Sequence, residues 1–267
     1  MFTCDVYNAD CVDILKTLAD TSVDCVFVDP PYNTKNKTNK AATYDRNTEL
    51  AAKNWQSFHA NWDDIIDYSA WATEWLEQSK RVLTDTGTIF ICGTFHNIPD
   101  VAMVLRATGF YTIQWIQWCI PNAFPNLAMT KPINANQTMI WARKGKRHFY
   151  DKEAAKRYND GKNLRDYWLI NQDTRGKWKH PSKKPVELVY RALDISVPKD
   201  KSVHIVDFFS GSGSTGESAS LFAKTYANPV HCTLVDKDNA YAQMSYERTL
   251  HGCQISEIES GGIRALF

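Results

Sequence analysis

Short runs of β-branched and aromatic residues alternate along this chain with longer stretches whose apolar positions recur every three or four residues. That alternation predicts βαβ units and a mostly parallel sheet. Asp5 to Asn8 reads as a short strand, and ADCVDILKTL after it as a helix with Val12, Leu15 and Leu18 on one face. VDCVFV (Val23 to Val28) reads as a buried central strand and runs straight into Asp29-Pro30-Pro31. DIIDYSAWATEWLEQSKRVL is an amphipathic helix, with Trp71 and Trp75 on its core side and Gly87 as its stop. TIFIC is the next strand, Pro99 to Thr108 the next helix, and YTIQWIQW and QTMIWAR two more strands. Between Lys144 and Lys184 the periodicity dissolves into a basic, aromatic, turn-rich segment. It returns as a helix in PVELVYRALDIS, a strand in SVHIVDFF, a helix in STGESASLFAKTYA and a strand in HCTLVD. The final helix, DNAYAQMSYERTLHG, has Gly252 as its expected stop.

Two segments in this pattern carry chemistry. The first is DPPY, Asp29 to Tyr32, at the end of a buried strand, which is where sites form in open α/β sheets. Two successive prolines stiffen the backbone and remove two N–H donors, leaving carbonyl oxygens as outward acceptors. Asp29 adds a carboxylate and Tyr32 a flat face. An amino group on a planar heterocycle suits such a corner. Its lone pair is delocalised into the ring, and accepting both hydrogens, at Asp29 and at the Pro30 carbonyl, localises that pair for attack. The second segment is HIVDFFSGSGSTGES, which contains G-x-G-x-x-G at Gly211, Gly213 and Gly216, with Asp236 placed to bind a ribose. By itself that loop suits a nicotinamide or flavin enzyme equally well. A pyrophosphate, however, needs a free helix N-terminus, and Phe209 directly before the loop favours a nucleoside without phosphates.

Composition narrows the class. The chain has 267 residues, 43% hydrophobic and 23% charged, enough for one large α/β domain. No apolar run approaches the ~20 residues that span a bilayer, and the opening MFTCDVYNADCVDIL lacks the pattern of a signal peptide; a cytoplasmic location is expected. Seven cysteines with no C-x-x-C pair read as free thiols, with Cys11, Cys25 and Cys92 buried. No metal-ligand spacing occurs, and no metal is expected. The net charge of +1 hides an uneven distribution. Arg143 to Arg191 holds 15 Lys/Arg against 6 Asp/Glu, and Asn33 to Asn54 holds five against two. Such stretches fit a polyanion surface.

DPPY together with FSGSG (Phe209 to Gly213) resembles the amino-methyltransferases of DNA that use S-adenosylmethionine. The order, DPPY first, resembles the β group of that family. The resemblance implies a circularly permuted Rossmann-like methyltransferase fold with helices on both faces of a mostly parallel twisted sheet. It divides the chain into a catalytic half (1–120), a target-recognition region (121–179) and a cofactor half (180–267). It makes Asp29, Pro30, Pro31 and Tyr32 catalytic. It assigns cofactor binding to Asp10, Asp29, His180, Ser182, Lys184, Asp207, Phe209, Ser210, Gly211, Ser212, Gly213, Thr215 and Asp236. Asp10 matches an acid near the adenine, His180, Ser182 and Lys184 match a helix start against the methionine end, and Asp236 matches the acid on the ribose hydroxyls.

PNAFPNL and IWARKGKRHFYD are similar to adenine-specific members of GATC-type restriction-modification systems. The implied reaction is direct in-line methyl transfer to the 6-amino group of a flipped adenine in DNA. The implied partner is DNA, with no membrane; a homodimer and a cognate restriction endonuclease remain open. Alternatives are cytosine 4-amino methylation, an RNA or protein methyltransferase, and a catalytically silent DNA-binding module with a relic cofactor fold. Aspartate at the head of the tetrapeptide favours adenine within the family. Three positions depart from the family pattern: Phe208 stands where proline is usual, and Gln137 and Thr130 stand where some relatives carry an acid and an arginine.

Overall fold

The computed structural model describes residues 1–33, 65–125, 129–173, 177–178, 183–255 and 263–266. Nine strands form one sheet in the order β6-β4-β5-β3-β2-β7-β8-β1-β9. In chain order they are β1 (Phe2–Asn8), β2 (Val23–Val28), β3 (Leu83–Gly93), β4 (Tyr111–Cys119), β5 (Asn136–Arg143), β6 (Tyr167–Leu169), β7 (Val203–Asp207), β8 (Val230–Asp236) and β9 (Ile263–Leu266). Among the described residues the helices are α1 (Cys11–Thr17), α2 (Tyr68–Val82), α3 (Ile98–Ala107), α4 (Lys152–Arg157), α5 (Val186–Ser196), α6 (Ser214–Tyr226) and α7 (Asn239–Ile255). All pairings are parallel except β3–β5 and β4–β5, so the α/β expectation holds.

The centre of the sheet joins the two halves of the chain. β2 is buried at every position and pairs with β3 on one side and β7 on the other. Val26 is level with Val206, although 180 residues separate them. Connections from β2 and β7 leave in opposite directions, which opens a crevice at their carboxyl ends. Two apolar layers cover the faces. One, around Leu15, Trp75, Leu76, Val101 and Phe208, lies under α1, α2 and α3. The other, around Phe27, Phe90, Trp118, Leu188 and Phe222, lies under α5 and α6.

Several boundaries differ from expectation. α2 ends at Val82 and passes directly into β3, so Gly87 lies inside a strand and stops no helix. A Cβ there would come 3.0 Å from the Val23 carbonyl, and close strand contact explains the glycine. α7 runs through Gly252 to Ile255, because Gly252 faces α6 rather than ending the helix. The unpatterned basic segment contains α4 and β6, both too short to show a period.

The path of that segment also corrects the expected basic face. β5 runs antiparallel to β3 and carries the chain to the edge opposite the Asp29 end, with Arg143 beside Thr88. Lys144 is spent there on the Leu83 carbonyl at 2.7 Å. Arg157 pairs with the buried Asp194, and Lys183 with Asp173. Only from Tyr167 onward does the segment return along β4 toward the reactive edge. The Asn33–Asn54 stretch lies outside the described residues beyond Asn33.

Candidate active site

Asp29 follows the last residue of β2, and Asp207 ends β7. Their strands are neighbours, so DPPY and FSGSG meet at one end of the sheet. Lys184, buried before α5, bridges them: its ammonium pairs with Asp29 Oδ2 and donates to the Tyr32 hydroxyl at 2.9 Å. Its carbonyl accepts from Ser214 Oγ at 2.7 Å, at the start of α6. Tyr32 in turn donates to Asp29 Oδ1 at 2.7 Å, and Gln137 Oε1 lies 3.2 Å from the same hydroxyl. Burial first, then the neighbouring Asp29 charge, hold the Tyr32 phenol well above its ordinary pKa, so it stays protonated. Each Asp29 oxygen has one partner here, and a carboxylate accepts about four hydrogen bonds, so acceptor capacity remains.

The prolines divide their roles. The Pro31 carbonyl accepts from the Tyr68 hydroxyl at 2.9 Å and is therefore taken, contrary to the expectation that both carbonyls are available. Among the described residues no donor is bonded to the Pro30 carbonyl. Asn33 closes the corner. Its φ of 54° is left-handed, which asparagine tolerates. Its amide both accepts from Ile65 N at 3.1 Å and donates to Ile65 O at 3.0 Å. The two ends of the 34–64 stretch are thereby clasped together.

The glycine loop is held by its own backbone and by two acids. Gly213 N donates to Ser210 O at 2.8 Å, and Ser210 N to Val235 O at 2.9 Å. Gly211 and Gly213 have φ of 49° and 79°, a region that costs other residues steric strain. Asp207 accepts from Phe209 N at 3.0 Å and Thr215 Oγ1 at 2.5 Å. Burial dominates and raises its pKa to about 7. Asp236, at the end of β8, accepts from Gly211 N at 2.8 Å and Asp238 N at 2.9 Å. Burial again dominates and raises its pKa to about 6. Asp10 caps α1 by accepting from Val12 N, and β1 pairs Asn8 with Asp236, so Asp10 lies at the same edge. Ser210 Oγ is buried with no hydrogen-bond partner.

Phe209 is half-buried and packs at a tilt against Trp71 and edge-on against Trp75, with centroids 5.5 and 5.8 Å apart. Phe208, in the position where the family has proline, is buried against Trp75 at 5.6 Å. The departure is thus absorbed by an aromatic core contact. An acid beside two left-handed glycines, a supported flat ring and a buried hydroxyl with no partner among the described residues fit an adenosyl group: they offer a carboxylate for ribose hydroxyls, a face for the nucleoside and a free hydroxyl. His180 and Ser182 lie outside the described residues.

A family model described as DNA methylase, for N6/N4 enzymes, matches residues 23–247. The chain belongs to the N6/N4 DNA methylase family. It is 33% identical over 229 residues to the type II methyltransferase M2.MboI of Moraxella bovis, covering 83% of this chain and 81% of that protein. It is 27% identical to M.HinfI of Haemophilus influenzae, covering 91% and 67%. Among solved structures, the complex of M1.HpyAVI with SAM superposes with a TM-score of 0.63 at 21% identity, covering 93% of this chain and 98% of that one. The cytosine-N4-specific PvuII DNA methyltransferase gives 0.68 at 15% identity, covering 99% and 96%. These two likenesses bear on the fold.

In this N6/N4 DNA methyltransferase DPPY, Lys184 and the glycine loop meet at one end of the sheet. Reading the sequence missed Gln137 as a partner of Tyr32, Tyr68 on the Pro31 carbonyl, the Asn33 clasp, and Arg248, which lies under the loop with Ser212 and Ser214. Only Arg248 left a signal: a cation among Ser245, Thr249 and Gly252, on a helix face of otherwise small residues. Among the described residues no group of acids, histidines and cysteines could hold a metal, and no helix is long and apolar enough to cross a membrane.

Proposed function

We propose that this methyltransferase transfers a methyl group to the 6-amino group of adenine in DNA, by direct in-line attack of a base flipped out of the duplex. S-adenosylmethionine is the donor, and when bound it supplies an electrophilic methyl on a sulfonium. The observation that carries the reading is the junction at the carboxyl ends of β2 and β7, where the Asp29 carboxylate stands beside the glycine loop with Lys184 between them.

Each residue then has a task. Asp236 accepts from the ribose hydroxyls, Phe209 offers its ring to the nucleoside, and Gly211 and Gly213 supply the left-handed turns that shape the loop. Asp10, Asp207, Ser210, Ser212 and Thr215 shape that pocket, and His180 and Ser182 serve the methionine end. Asp29 and the Pro30 carbonyl accept the two amino hydrogens, which localises the nitrogen lone pair before attack. Lys184 holds Asp29 through Oδ2, so the carboxylate is fixed as a hydrogen-bond acceptor; the neutral amino nitrogen attacks, and its surplus proton passes to solvent afterwards. Pro31 stiffens the corner. Tyr32, fixed by Asp29 and Gln137, stacks on the base. Residues 1–120 and 180–267 act as catalytic and cofactor halves, and 121–179 as the recognition region.

Adenine is favoured because the tetrapeptide begins with Asp29 rather than serine. The test is methylation of a random-sequence DNA library by the purified protein, with the modified bases mapped. N6-methyladenine within one short motif is expected, and Asp29→Ala should bind the donor yet transfer nothing. N4-methylcytosine would overturn the choice of base, and full turnover by Asp29→Ala would overturn the proposed acceptor.

A further inference from the structure

α7 turns Ser245, Arg248, Thr249 and Gly252 toward α6 and the glycine loop. The fit is tight. A Cβ at Gly213 would lie 2.7 Å from Ser245 Cα, one at Gly216 2.0 Å from Thr249 Oγ1, and one at Gly252 3.1 Å from Glu217 Cα. Within this contact Arg248 is 1% exposed. Its Nε donates to Glu217 Oε2 at 2.6 Å. Its Nη1 donates to Ser212 Oγ at 3.0 Å and to Ser214 Oγ at 2.8 Å. Ser214 Oγ passes the connection on to the Lys184 carbonyl.

Burying a guanidinium is costly, and an apolar side chain would fill the same space at lower cost. Glu217 alone neutralises the charge. The further donors go to two hydroxyls on either side of Gly213, in the loop assigned to the cofactor. A planar fork with fixed donor directions holds two oxygens at a set spacing, which a flexible ammonium does not. We propose that Arg248 is the positioning residue of the cofactor loop. It sets the height of Ser212 and Ser214 and, through Ser214, the backbone of Lys184, whose ammonium holds Asp29. Cofactor loop and base-binding corner are thus registered from one buried cation. The inference rests on the assignment of the FSGSG loop to S-adenosylmethionine.

The test is calorimetric binding of S-adenosylmethionine to the full chain without DNA. Arg248→Lys and Ser212→Ala should each weaken binding by about ten- to a hundredfold, the range expected for a hydrogen bond to a charged group. The double variant should be no weaker than Arg248→Lys alone, because both break one connection. Tyr158→Phe, which removes a donor from the buried Asp194 far from the loop, serves as a stability control. It should lower the melting temperature and keep wild-type affinity. Wild-type binding by both loop variants, additive losses in the double variant, or an equal loss in Tyr158→Phe would each overturn the role of Arg248. Should Arg248→Lys fail to fold, Ser214→Ala, which cuts the same connection at a hydroxyl assigned no contact with the donor, decides: weakened binding supports the role and wild-type binding overturns it. Gly211→Val separates the two levels of the argument. Retained binding there removes the loop assignment itself, whereas lost binding there with unchanged Ser212→Ala removes only the role of Arg248.

Discussion

Acidifying the solution from about pH 8 to about pH 5 should loosen S-adenosylmethionine binding, because the carboxylate that meets the ribose titrates in between. Asp236 is half-buried, and desolvation raises its pKa to about 6 despite the N–H groups of Asp238 and Gly211, which pull the other way. A carboxylate offers acceptors to both ribose hydroxyls, whereas the protonated acid presents a competing O–H. At pH 5 about one Asp236 in eleven is ionised, and at pH 8 nearly all are. If only the ionised form binds well, the dissociation constant rises about elevenfold, or ~1.4 kcal/mol. Titration calorimetry at four pH values, in buffers of different ionisation enthalpy, reads both the affinity and the proton release. Asp236→Asn should bind more weakly throughout and lose this slope, which separates Asp236 from ionisations of the ligand. A flat wild-type profile, or an unchanged slope in Asp236→Asn, would refute the reasoning.

Two further outcomes follow from the same packing. Asp207 has a folded-state pKa raised to about 7, so its contribution to stability is present at low pH and is lost as pH rises through about 7. Asp207→Asn should therefore raise the melting temperature, relative to wild type, more at pH 8 than at pH 5; equal shifts at both would show that its bonds to Thr215 and Phe209 dominate. Gly213→Ala places a methyl 2.7 Å from Ser245 Cα at a φ of 79°, so strain and overpacking together should cost on the order of 2–4 kcal/mol in urea unfolding; a loss under ~1 kcal/mol would mean that α7 withdraws freely.

Much of this architecture was readable from local pattern. β2, β7 and β8 are short runs rich in Val, Ile, Leu and Cys, as strands covered on both faces tend to be. α2 and α5 carry a clear helical period. What escaped was set by partners distant in sequence. Gly87 and Gly252 look like helix stops until Val23 and Glu217 appear against them. β6 is three residues long and exists because β4 offers an edge. The basic excess of the Arg143–Arg191 stretch is a fact of composition, but Asp194, Asp173 and Asp29 consume part of it internally. The two motifs of the site were legible because each is contiguous. Their junction through Lys184 and the support from Arg248 depend on how α5, α6 and α7 stack.

The reciprocal amide bonds between Asn33 and Ile65 join two points of the chain that are 32 residues apart. Entry and exit share one anchoring point, so lengthening or exchanging what hangs from it leaves the reactive corner in place. Closing a loop twice as long costs only about 0.6 kcal/mol. A change in chain length between these two residues therefore leaves the turn that carries Asp29 tied at the same point.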